Sequence, residues 1–258
     1  GLDNVQQEYV ADMKFSSKNL LAILNDILDY SKLRENSLEL EQIPFNLTEL
    51  LKNIYNTGKA KAREKNLKVK LQLDFELPEF VKADSLRLSQ ILNNLVDNAI
   101  KFTEKGEVSI SVSMMSTEEA THMVHFSVKD SGIGIPESKL PYIFDNFVQA
   151  SKETTRKYGG SGLGLSIVKL LIDLMGGSIS VESELGEGST FNIRLPFQET
   201  DAPQQAKEPQ NLSEEVVKFD LEGTRILVVE DMRINQKVLE HMLGNWKAKV
   251  TIADNGLK

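Results

Sequence analysis

Cysteine is absent from the 258 residues of the sequence, which excludes disulfide bonds, a thiol nucleophile and a cysteine-ligated metal site. Long apolar runs are absent too: none approaches the ~20 residues that a membrane-spanning helix needs, and no signal peptide is visible. Basic residues are in deficit, with 30 Lys and Arg against 38 Asp and Glu. The resulting net charge of −8 argues against a general nucleic-acid binder. We therefore expect a cytoplasmic protein without a nucleic-acid partner.

The remaining composition is that of an ordinary folded protein. Hydrophobic residues make up 40% of the sequence and charged residues 26%, as in typical globular domains. The length suits one large domain or two modest ones. The patterns described below begin midway through a motif at Gly1 and stop within a domain at Lys258, so we expect a piece of a longer protein.

The N-terminal stretch predicts one long helix. Residues 2–33 contain neither proline nor glycine. Apolar residues recur there at spacings of three and four, namely Val10, Met13, Leu20, Leu24 and Ile27. Such a helix is about 45 Å long, more than a small domain needs. It is either a core helix or a dimerisation helix that packs on a partner helix. We favour the second interpretation, because the helix alone cannot bury its apolar stripe.

A helix, a strand and a second helix are predicted next. After Pro44, Asn46 or Thr48 caps a helix that runs to about residue 66 and carries exposed lysines. Residues 67–75 alternate as a strand. The following helix, residues 85–102, has one apolar face. Its polar face carries Arg87, Gln90, Asn94, Asn98 and Lys101.

This polar face is either a solvated surface or a binding site. Asparagine is a mediocre helix former, so the presence of Asn94 and Asn98 one turn apart calls for a reason. An amide oxygen is a hard, neutral ligand for Mg²⁺, and Lys101, one turn further on, can reach a phosphate group. We therefore favour a site.

A strand that ends in a carboxylate and two glycines is the centre of the predicted site. Residues 125–128 alternate as a strand, and Asp130 is followed by Gly132 and Gly134. The glycines permit a tight turn and let a ligand approach the backbone where a Cβ would block it. A carboxylate at the end of a buried strand can accept a hydrogen bond from an exocyclic amine such as that of adenine.

A second glycine-rich segment follows a polar loop, residues 149–162. Residues 159–165 read Gly-Gly-Ser-Gly-Leu-Gly-Leu and open a predicted helix, residues 163–175. Backbone N–H groups at a helix start attract anions, so the segment predicts a phosphate cradle. It lacks the Gly-Lys-Ser/Thr ending of a P-loop.

Aromatic and histidine side chains near these segments are less informative. Tyr142, Phe144 and Phe147 fit a core cluster and a site equally well. His122 and His125 have no carboxylate or cysteine at metal-ligand spacing, so we interpret them as surface or strand residues.

The end of the sequence predicts two more strands, a linker and a βαβ unit. The strands are residues 178–183 and 189–196, and residues 198–219, rich in Gln, Glu and Pro, form the linker. Residues 224–231 are an apolar run that ends in Glu230 and Asp231, typical of a buried parallel strand with a site at its C-terminal end. One βαβ unit alone is too small to enclose a core.

Four of these segments together resemble the motifs of sensor histidine kinases. In the family's order and spacing, they are the N box at residues 94–102, the G1 box at 130–136, the F box at 144–147 and the G2 box at 160–165. Residues 20–32 resemble the second helix of the dimerisation and phosphotransfer hairpin. Residues 225–258 resemble the opening of a receiver domain, so the chain is similar to a hybrid histidine kinase over nearly its whole length.

The resemblance implies an α+β fold with four parts. Residues 1–43 would form the second hairpin helix and support a homodimer. Residues 44–198 would form a Bergerat-type α/β sandwich, a mixed sheet under three helices, that binds ATP. Residues 199–222 would be a linker, and residues 223–258 an incomplete βαβ fragment of a receiver.

The resemblance also implies an adenine pocket around the G1 box. Asp130 would bind the adenine amine. Gly132, Gly134 and Ile135 would shape the pocket, and Thr190 would support its adenine end.

The other implied residues lie around the phosphates and metal ions. Asn98 would hold Mg²⁺ beside Asn94, and Lys101 and Arg156 would face the phosphates. The remaining matches lie in or next to the N, F and G2 boxes and are Phe102, Phe147, Gly160, Ser161, Gly162, Leu163, Gly164 and Leu165. Glu230 and Asp231 match the acids with which a receiver binds Mg²⁺.

The implied activity is that of an ATP-dependent protein histidine kinase in a two-component phosphorelay. The family's phosphoacceptor histidine lies on the first hairpin helix, and none of His122, His125 and His241 is in its motif. The receiver's acceptor aspartate would lie beyond Lys258, and Met232 stands where receivers often carry Asn or Asp. We therefore expect this chain to bind ATP–Mg²⁺ without phosphorylating itself, and to need a histidine-bearing hairpin helix and a receiver or response regulator as partners.

Two other interpretations remain at this point. The chain is alternatively a non-catalytic, nucleotide-binding dimerisation module that transmits a signal by helix movement, although the complete set of N, G1 and G2 boxes weighs against this. A gyrase-like or chaperone-like ATPase is the third option, which the receiver-like tail disfavours.

Overall fold

The structure is a computed structural model that describes residues 3–34, 38–118, 121–145, 162–201 and 221–255. The chain consists of two compact units, Gly1–Gln204 and Gln205–Lys258. Each unit is described by itself below.

The first unit contains four α-helices and seven strands among its described residues. In chain order they are α1 (Asn4–Arg34), β1 (Ile43–Asn46), α2 (Leu47–Arg63), β2 (Lys68–Leu73), β3 (Phe80–Ala83), α3 (Ser85–Phe102), β4 (Glu107–Glu118), β5 (Thr121–Asp130), α4 (Gly164–Leu174), β6 (Ser178–Glu184) and β7 (Gly188–Glu199). A short 3₁₀ helix, Glu137–Tyr142, follows β5.

The seven strands form one mixed sheet. Its order is β1-β3-β7-β5-β4-β2, and β6 also pairs with β7. Strand β2 runs parallel to β4, whereas the other neighbours are antiparallel. This arrangement confirms the mixed sheet of the α+β fold expected from the sequence.

One face of the sheet packs against the helices. Because side chains alternate between the two faces of a strand, Val124, Phe126, Val128 and Asp130 of β5 all point to this buried side. Val124, Phe126 and Val128 join one hydrophobic core with buried residues of α2, α3 and α4. The last residue of that buried series is the carboxylate singled out in the sequence.

Side-chain caps fix the starts of two helices. The Asn46 side chain accepts a hydrogen bond of 2.8 Å from the Glu49 N–H and caps α2, as predicted. Asp84 accepts one of 3.0 Å from the Arg87 N–H and caps α3. The other Asp84 carboxylate oxygen accepts a hydrogen bond of 3.2 Å from the Glu41 N–H, which ties the segment after α1 to the start of α3.

Two short strands were missed in the sequence. β1 contains Pro44, and β3 follows the loop after Pro78. Each strand has four residues, too few for an alternating pattern to stand out. They pair with each other in antiparallel register, and β3 joins the last residues of β7.

Helix α1 leaves most of its apolar stripe exposed. Met13 is 62% exposed, Leu20 60% and Leu24 48%. Of the side chains described in this helix, those that pack on the core of the unit are Leu33 and Tyr30, at its C-terminal end. Along most of its length the helix therefore presents apolar side chains that the first unit does not cover.

The second unit is a βαβ arrangement. It consists of β8 (Arg225–Val229), α5 (Arg233–Asn245) and β9 (Lys249–Ala253), and the two strands are parallel. The Leu221 N–H donates a hydrogen bond of 2.7 Å to the Trp246 carbonyl. The 202–220 part of the predicted linker lies outside the described residues. In the described part of the chain, no helix has the length and apolarity to cross a membrane.

Candidate functional site

Asp130 lies at the end of β5 with its side chain on the buried face of the sheet. One carboxylate oxygen accepts a hydrogen bond of 2.8 Å from the Gly132 N–H. Burial raises the pKa of the Asp130 carboxyl, and hydrogen bonds from the backbone of Gly132 and Ser189 oppose this rise. The group is thus a buried acceptor whose position the backbone fixes, which suits recognition of an amine donor.

The loop after Asp130 passes too close to its neighbours for side chains at two positions. A Cβ on Gly132 would lie 2.5 Å from the Phe102 carbonyl oxygen at the end of α3 and 2.8 Å from Asp130 Oδ1. Gly134 has φ +68°, and a Cβ there would collide with the Glu184 carbonyl oxygen. The two glycines therefore allow the loop to rest between α3 and the β6–β7 hairpin.

Hydrogen bonds hold the far side of the same loop. The Ile135 N–H donates to Ser183 Oγ at 2.8 Å, and this hydroxyl donates to the Gly188 carbonyl at 2.8 Å. The Gly186 N–H donates to the Ile133 carbonyl at 2.8 Å. The predicted pocket residues Gly132, Gly134 and Ile135 thus form one clamped loop next to Asp130.

The two predicted asparagines of α3 contact each other. Asn98 Nδ2 donates a hydrogen bond of 3.0 Å to Asn94 Oδ1. With its nitrogen engaged in this way, the Asn98 amide presents its oxygen as the remaining acceptor, the ligand type that Mg²⁺ prefers.

Helix α4 begins beside these asparagines. A Cβ on Gly164 would lie 2.7 Å from Asn94 Nδ2 and 3.0 Å from Asn94 Oδ1. Leu163 is buried, and its carbonyl accepts a hydrogen bond of 2.8 Å from Ser166 Oγ. The start of α4 therefore lies against Asn94 of α3. Backbone N–H groups at a helix start favour anions, and the amides of α3 are of the type that binds metal ions.

Lys101 lies one turn beyond Asn98. Its ammonium is 5.0 Å from the centre of the Phe102 ring. Burial and, to a smaller extent, the positive charge of Lys65 lower the pKa of Lys101. Burial disfavours the positive charge of Lys101, and the negative charge of a bound phosphate would compensate for this cost.

The two halves of the polar stripe of α3 make different contacts. Gln90 Nε2 donates to Asp29 Oδ2 of α1 at 2.8 Å, and Arg87 Nη1 donates to Gln90 Oε1 at 2.8 Å. Arg87 Nη1 also lies 3.9 Å from Asp29 Oδ1. The N-terminal half of the stripe therefore attaches α1, whereas Asn94, Asn98 and Lys101 remain with the candidate site.

Thr190, which the family pattern assigns to the adenine end, lies next to the residue that pairs with Asp130. Across β5 and β7, Thr190 pairs with Lys129, and Ser189 pairs with Asp130. Directly paired residues share a face of the sheet, so Ser189 accompanies Asp130 on the buried side and Thr190 faces the opposite side. Ser189 is buried, and its hydroxyl lies 3.0 Å from Ser183 Oγ. Sequence reasoning missed Ser189, because only the register of the two strands distinguishes it from its neighbour.

Several predicted residues fall outside the described part of the chain. They are Phe147, Arg156, Gly160 and Ser161. Gly162, at the edge of that part, has φ +73°. Leu165 and Phe144 pack partly buried against the core, and Tyr142 is 55% exposed.

The two acids of the second unit follow β8. Glu230 Oε1 accepts hydrogen bonds from the Met232 N–H at 3.0 Å and from Asn235 Nδ2 at 3.1 Å. These bonds, that of Met232 first, lower the pKa of Glu230. Asp231 is exposed. Among the residues that the structure describes, no three His, Cys, Asp or Glu side chains cluster as a metal site, so a role for Glu230 and Asp231 in Mg²⁺ binding stays a prediction.

A groove of about 710 Å³ between α2 and α3 contains none of the predicted site residues. Its lining includes Phe45, Leu86 and Asn93, on a face of α3 next to the one that carries Asn94 and Asn98. The candidate site is instead formed by the Asp130 loop, the asparagine pair and the start of α4.

Part of the chain matches a known protein family. Residues 83–199 match the family described as "Histidine kinase-, DNA gyrase B-, and HSP90-like ATPase". That segment runs from the end of β3 to the end of β7 and includes all of α3, the Asp130 loop and α4.

Among curated proteins, the chain is 36% identical over 263 residues to "Autoinducer 2 sensor kinase/phosphatase LuxQ" of Vibrio cholerae. The alignment covers all of this chain and 30% of that protein. The chain therefore spans less than a third of the length of this relative.

Two solved proteins are similar in structure as well as in sequence. The catalytic domain of histidine kinase ThkA is 35% identical with a TM-score of 0.51, covering 62% of this chain and 96% of that domain. ThkA has also been solved in complex with response regulator protein TrrA. Full-length ShkA in complex with AMPPNP is 30% identical with a TM-score of 0.67, covering 99% of this chain and 50% of that one.

Proposed function

Since this chain belongs to the histidine kinase family of two-component signal transduction, we propose that its first unit binds ATP with Mg²⁺ and transfers the γ-phosphoryl group to a histidine carried on another polypeptide segment. The observation that carries this proposal is the buried Asp130 carboxylate next to Gly132. A Cβ at position 132 would lie 2.8 Å from Asp130 Oδ1, so glycine at this position leaves that oxygen uncrowded, and the carboxylate would accept a hydrogen bond from the adenine amine.

The residues present also fit the phosphate end of the nucleotide. Asn98, held by Asn94, would coordinate Mg²⁺ through its amide oxygen. Lys101 and the N–H groups at the start of α4 would bind phosphate oxygens. Mg²⁺ bound there would neutralise negative charge that develops on the phosphates during transfer. The AMPPNP complex of ShkA supports a nucleotide at a site of this kind.

The proposed reaction is an in-line displacement at the γ-phosphorus. A neutral imidazole nitrogen forms the new N–P bond as the bond between the γ-phosphorus and the bridging oxygen breaks, and ADP departs with the electron pair. The imidazole is neutral near pH 7 because its reference pKa is ~6.5. The role of this chain is to orient the nucleotide for that attack, since positioning supplies most of the catalysis in such transfers.

The proposal extends to partners. The exposed apolar residues of α1 would pack on a histidine-bearing hairpin helix and on a second copy of the chain. The second unit would be part of a receiver, with Glu230 and Asp231 as acidic ligands of its Mg²⁺, and a receiver aspartate would take the phosphoryl group from the histidine. The ThkA–TrrA complex supports a response regulator as a partner, and a site that uses ATP favours the cytoplasm.

The first test is the affinity for ATP–Mg²⁺, measured by calorimetry for the chain and for Asp130→Ala and Asn98→Ala. We expect micromolar-range binding that both variants lose. Asn53→Ala is the matched control, because Asn53 is an exposed asparagine of α2, and it should bind normally. If the unaltered chain shows no binding, the proposed ATP site is wrong.

The second test separates a kinase from a nucleotide-binding module without catalysis. The exposed apolar stripe of α1 suits a helix that transmits a signal by moving as well as one that supports phosphotransfer. A nucleotide-binding signalling module without catalysis is therefore the second candidate function. The chain is mixed with a separate protein that carries the histidine hairpin, and transfer from γ-labelled ATP is followed. Labelled hairpin supports the kinase, whereas nucleotide binding without transfer supports the module.

A further inference from the structure

Carbonyl groups at the C-terminal end of α3 are bound by Lys65, which lies in the turn after α2. Lys65 Nζ donates hydrogen bonds of 2.8 Å to the Ile100 carbonyl and 2.8 Å to the Lys101 carbonyl, and it lies 3.5 Å from the Thr103 carbonyl. The Ala99 carbonyl is bound by the Thr103 N–H at 3.1 Å and by its hydroxyl at 2.7 Å. The carbonyls at a helix C-terminus lack partners within the helix, so a cation there satisfies them and also interacts favourably with the helix dipole.

The remaining carbonyl of this last turn belongs to the candidate site. Phe102 O accepts a hydrogen bond of 3.3 Å from the Ile133 N–H. A Cβ on Gly132 would be 2.5 Å from the same oxygen. The loop that follows Asp130 therefore rests directly on the helix end that Lys65 binds. A shift of that helix end would move the loop and, through the hydrogen bond from Gly132, the Asp130 carboxylate.

The turn that follows α2 positions Lys65 for this contact. After α2 the chain turns back, with the Lys65 and Leu67 N–H groups both donating to the Ala62 carbonyl, at 3.1 and 3.0 Å. Asn66 adopts φ +55° in this turn, and Leu67 and Ala62 are buried. Such a turn at a helix C-terminus is a fixed structure, so the base of the Lys65 side chain is held in place.

We propose that Lys65 is a positioning residue for nucleotide binding: by binding the C-terminal carbonyls of α3, it holds the surface on which the adenine-binding loop rests. This inference rests on the proposed nucleotide site, and it adds a residue that lies outside all four motifs. Lys65 does not touch the nucleotide. It acts through Phe102, Ile133 and Gly132.

The test uses Lys65→Met, which keeps the length of the side chain and removes the ammonium group. Adenosine and ADP affinities are measured by calorimetry on the full chain, and the amide signals of Gly132 and Ile133 are followed by NMR without nucleotide. We expect both affinities to fall about fivefold, because the interaction of a cation with a helix terminus is worth up to ~1 kcal/mol. Both amide signals should shift. Lys65→Arg, which retains N–H donors, should restore most of the affinity.

Two controls separate positioning from general effects. Lys61→Met removes a different lysine contact to α3, the ion pair of 2.7 Å with Asp97, and should leave nucleotide affinity and both amide signals unchanged. Ile91→Val removes one methylene from a fully buried core residue of α3 and lowers stability without touching the helix end. Its affinity should also be unchanged while it remains folded.

The outcomes distinguish this inference from the proposed function. If Lys65→Met binds adenosine and ADP as the unaltered chain does, or loses no more than Ile91→Val, the positioning role is wrong. If the unaltered chain binds neither ligand, the proposed function fails. The amide signals of Gly132 and Ile133 then still decide whether Lys65 positions the loop.

Discussion

Replacing Gly132 by alanine tests whether the approach of the Asp130 loop to α3 is required for the site. The new methyl group would lie 2.5 Å from the Phe102 carbonyl oxygen, where ordinary contacts begin at 3.4 Å. The loop or the helix end must therefore move by about 0.9 Å. Neither neighbour yields easily, because the oxygen belongs to the backbone and the second close atom is the hydrogen-bonded Asp130 Oδ1, at 2.8 Å.

The cost has two parts. Overpacking of a well-packed site costs about 1–3 kcal/mol, and the hydrogen bond from the Ile133 N–H to the Phe102 carbonyl, already 3.3 Å long, would be lost at about 1 kcal/mol. We expect a destabilisation of about 3 kcal/mol, which lowers the melting temperature by about 6–12 °C in a unit of this size. Displacement of the carboxylate from an amine donor weakens a charged hydrogen bond, so ATP affinity should fall about 10- to 100-fold.

Thermal melts and ATP calorimetry on the same protein measure both effects. Gly176→Ala is the matched control, because Gly176 has φ +75° and its new Cβ would make an ordinary contact of 3.7 Å with Pro196. Alanine in the left-handed region costs about 1–2 kcal/mol, but Gly176 lies at the far end of α4, about 16 Å from its start. A Gly132→Ala protein that melts lower but binds ATP normally would refute the reasoning.

Three further predictions follow from single residues. Burial raises the pKa of Asp130 above its ordinary 3.8, so this carboxyl destabilises the fold increasingly as the pH rises from 3.8 through its folded-state pKa. In urea titrations, Asp130→Asn should be more stable than the unaltered chain across that pH window and equally stable below it. A gain in stability that does not depend on pH would contradict this. Gly164→Ala places a methyl group 2.7 Å from Asn94 Nδ2. In calorimetry it should weaken ATP–Mg²⁺ binding about tenfold, with little change in melting temperature. Unchanged affinity would show that the start of α4 is not part of the site. Gly244→Ala, in a helix with open space around the new methyl group, should stabilise the second unit by about 0.5–1 kcal/mol without altering ATP affinity, and a loss of stability in denaturant titrations would contradict this.

Elements governed by local patterns were predictable from the sequence. The predicted range of α3, residues 85–102, agrees with the structure, because its apolar spacing is regular and Asp84 caps its start. β5 ends at Asp130 as expected. The parallel pair β8 and β9 with α5 between them also follows from an apolar run and helical spacing. In each case the signal lies within a few neighbouring residues.

Features that depend on contacts distant in sequence were not predictable. The distinction between Ser189 and Thr190 requires the register between β5 and β7, and a slip of one residue would exchange their faces. The attachment of Gln90 to Asp29 joins positions 61 residues apart, and no periodicity reveals it. Binding of α3 carbonyls by Lys65 was hidden for the same reason, since a lysine run on a helix was interpreted as a solvated face.

Strand β7 determines how a pulling force on the C-terminal end of the first unit would be carried by its sheet. Its 12 residues, Gly188–Glu199, extend about 40 Å, from the end beside Asp130 to the end beside β3. Tension applied at Asp201, where the chain leaves this strand, would enter the sheet at the end farthest from Asp130. The short pairing with β3 and the Thr200 N–H bond to the Phe80 carbonyl would yield first, and the long ladder with β5 and β6 would rupture last. The sheet would therefore shield Asp130 and the candidate site from forces that act through the following segment.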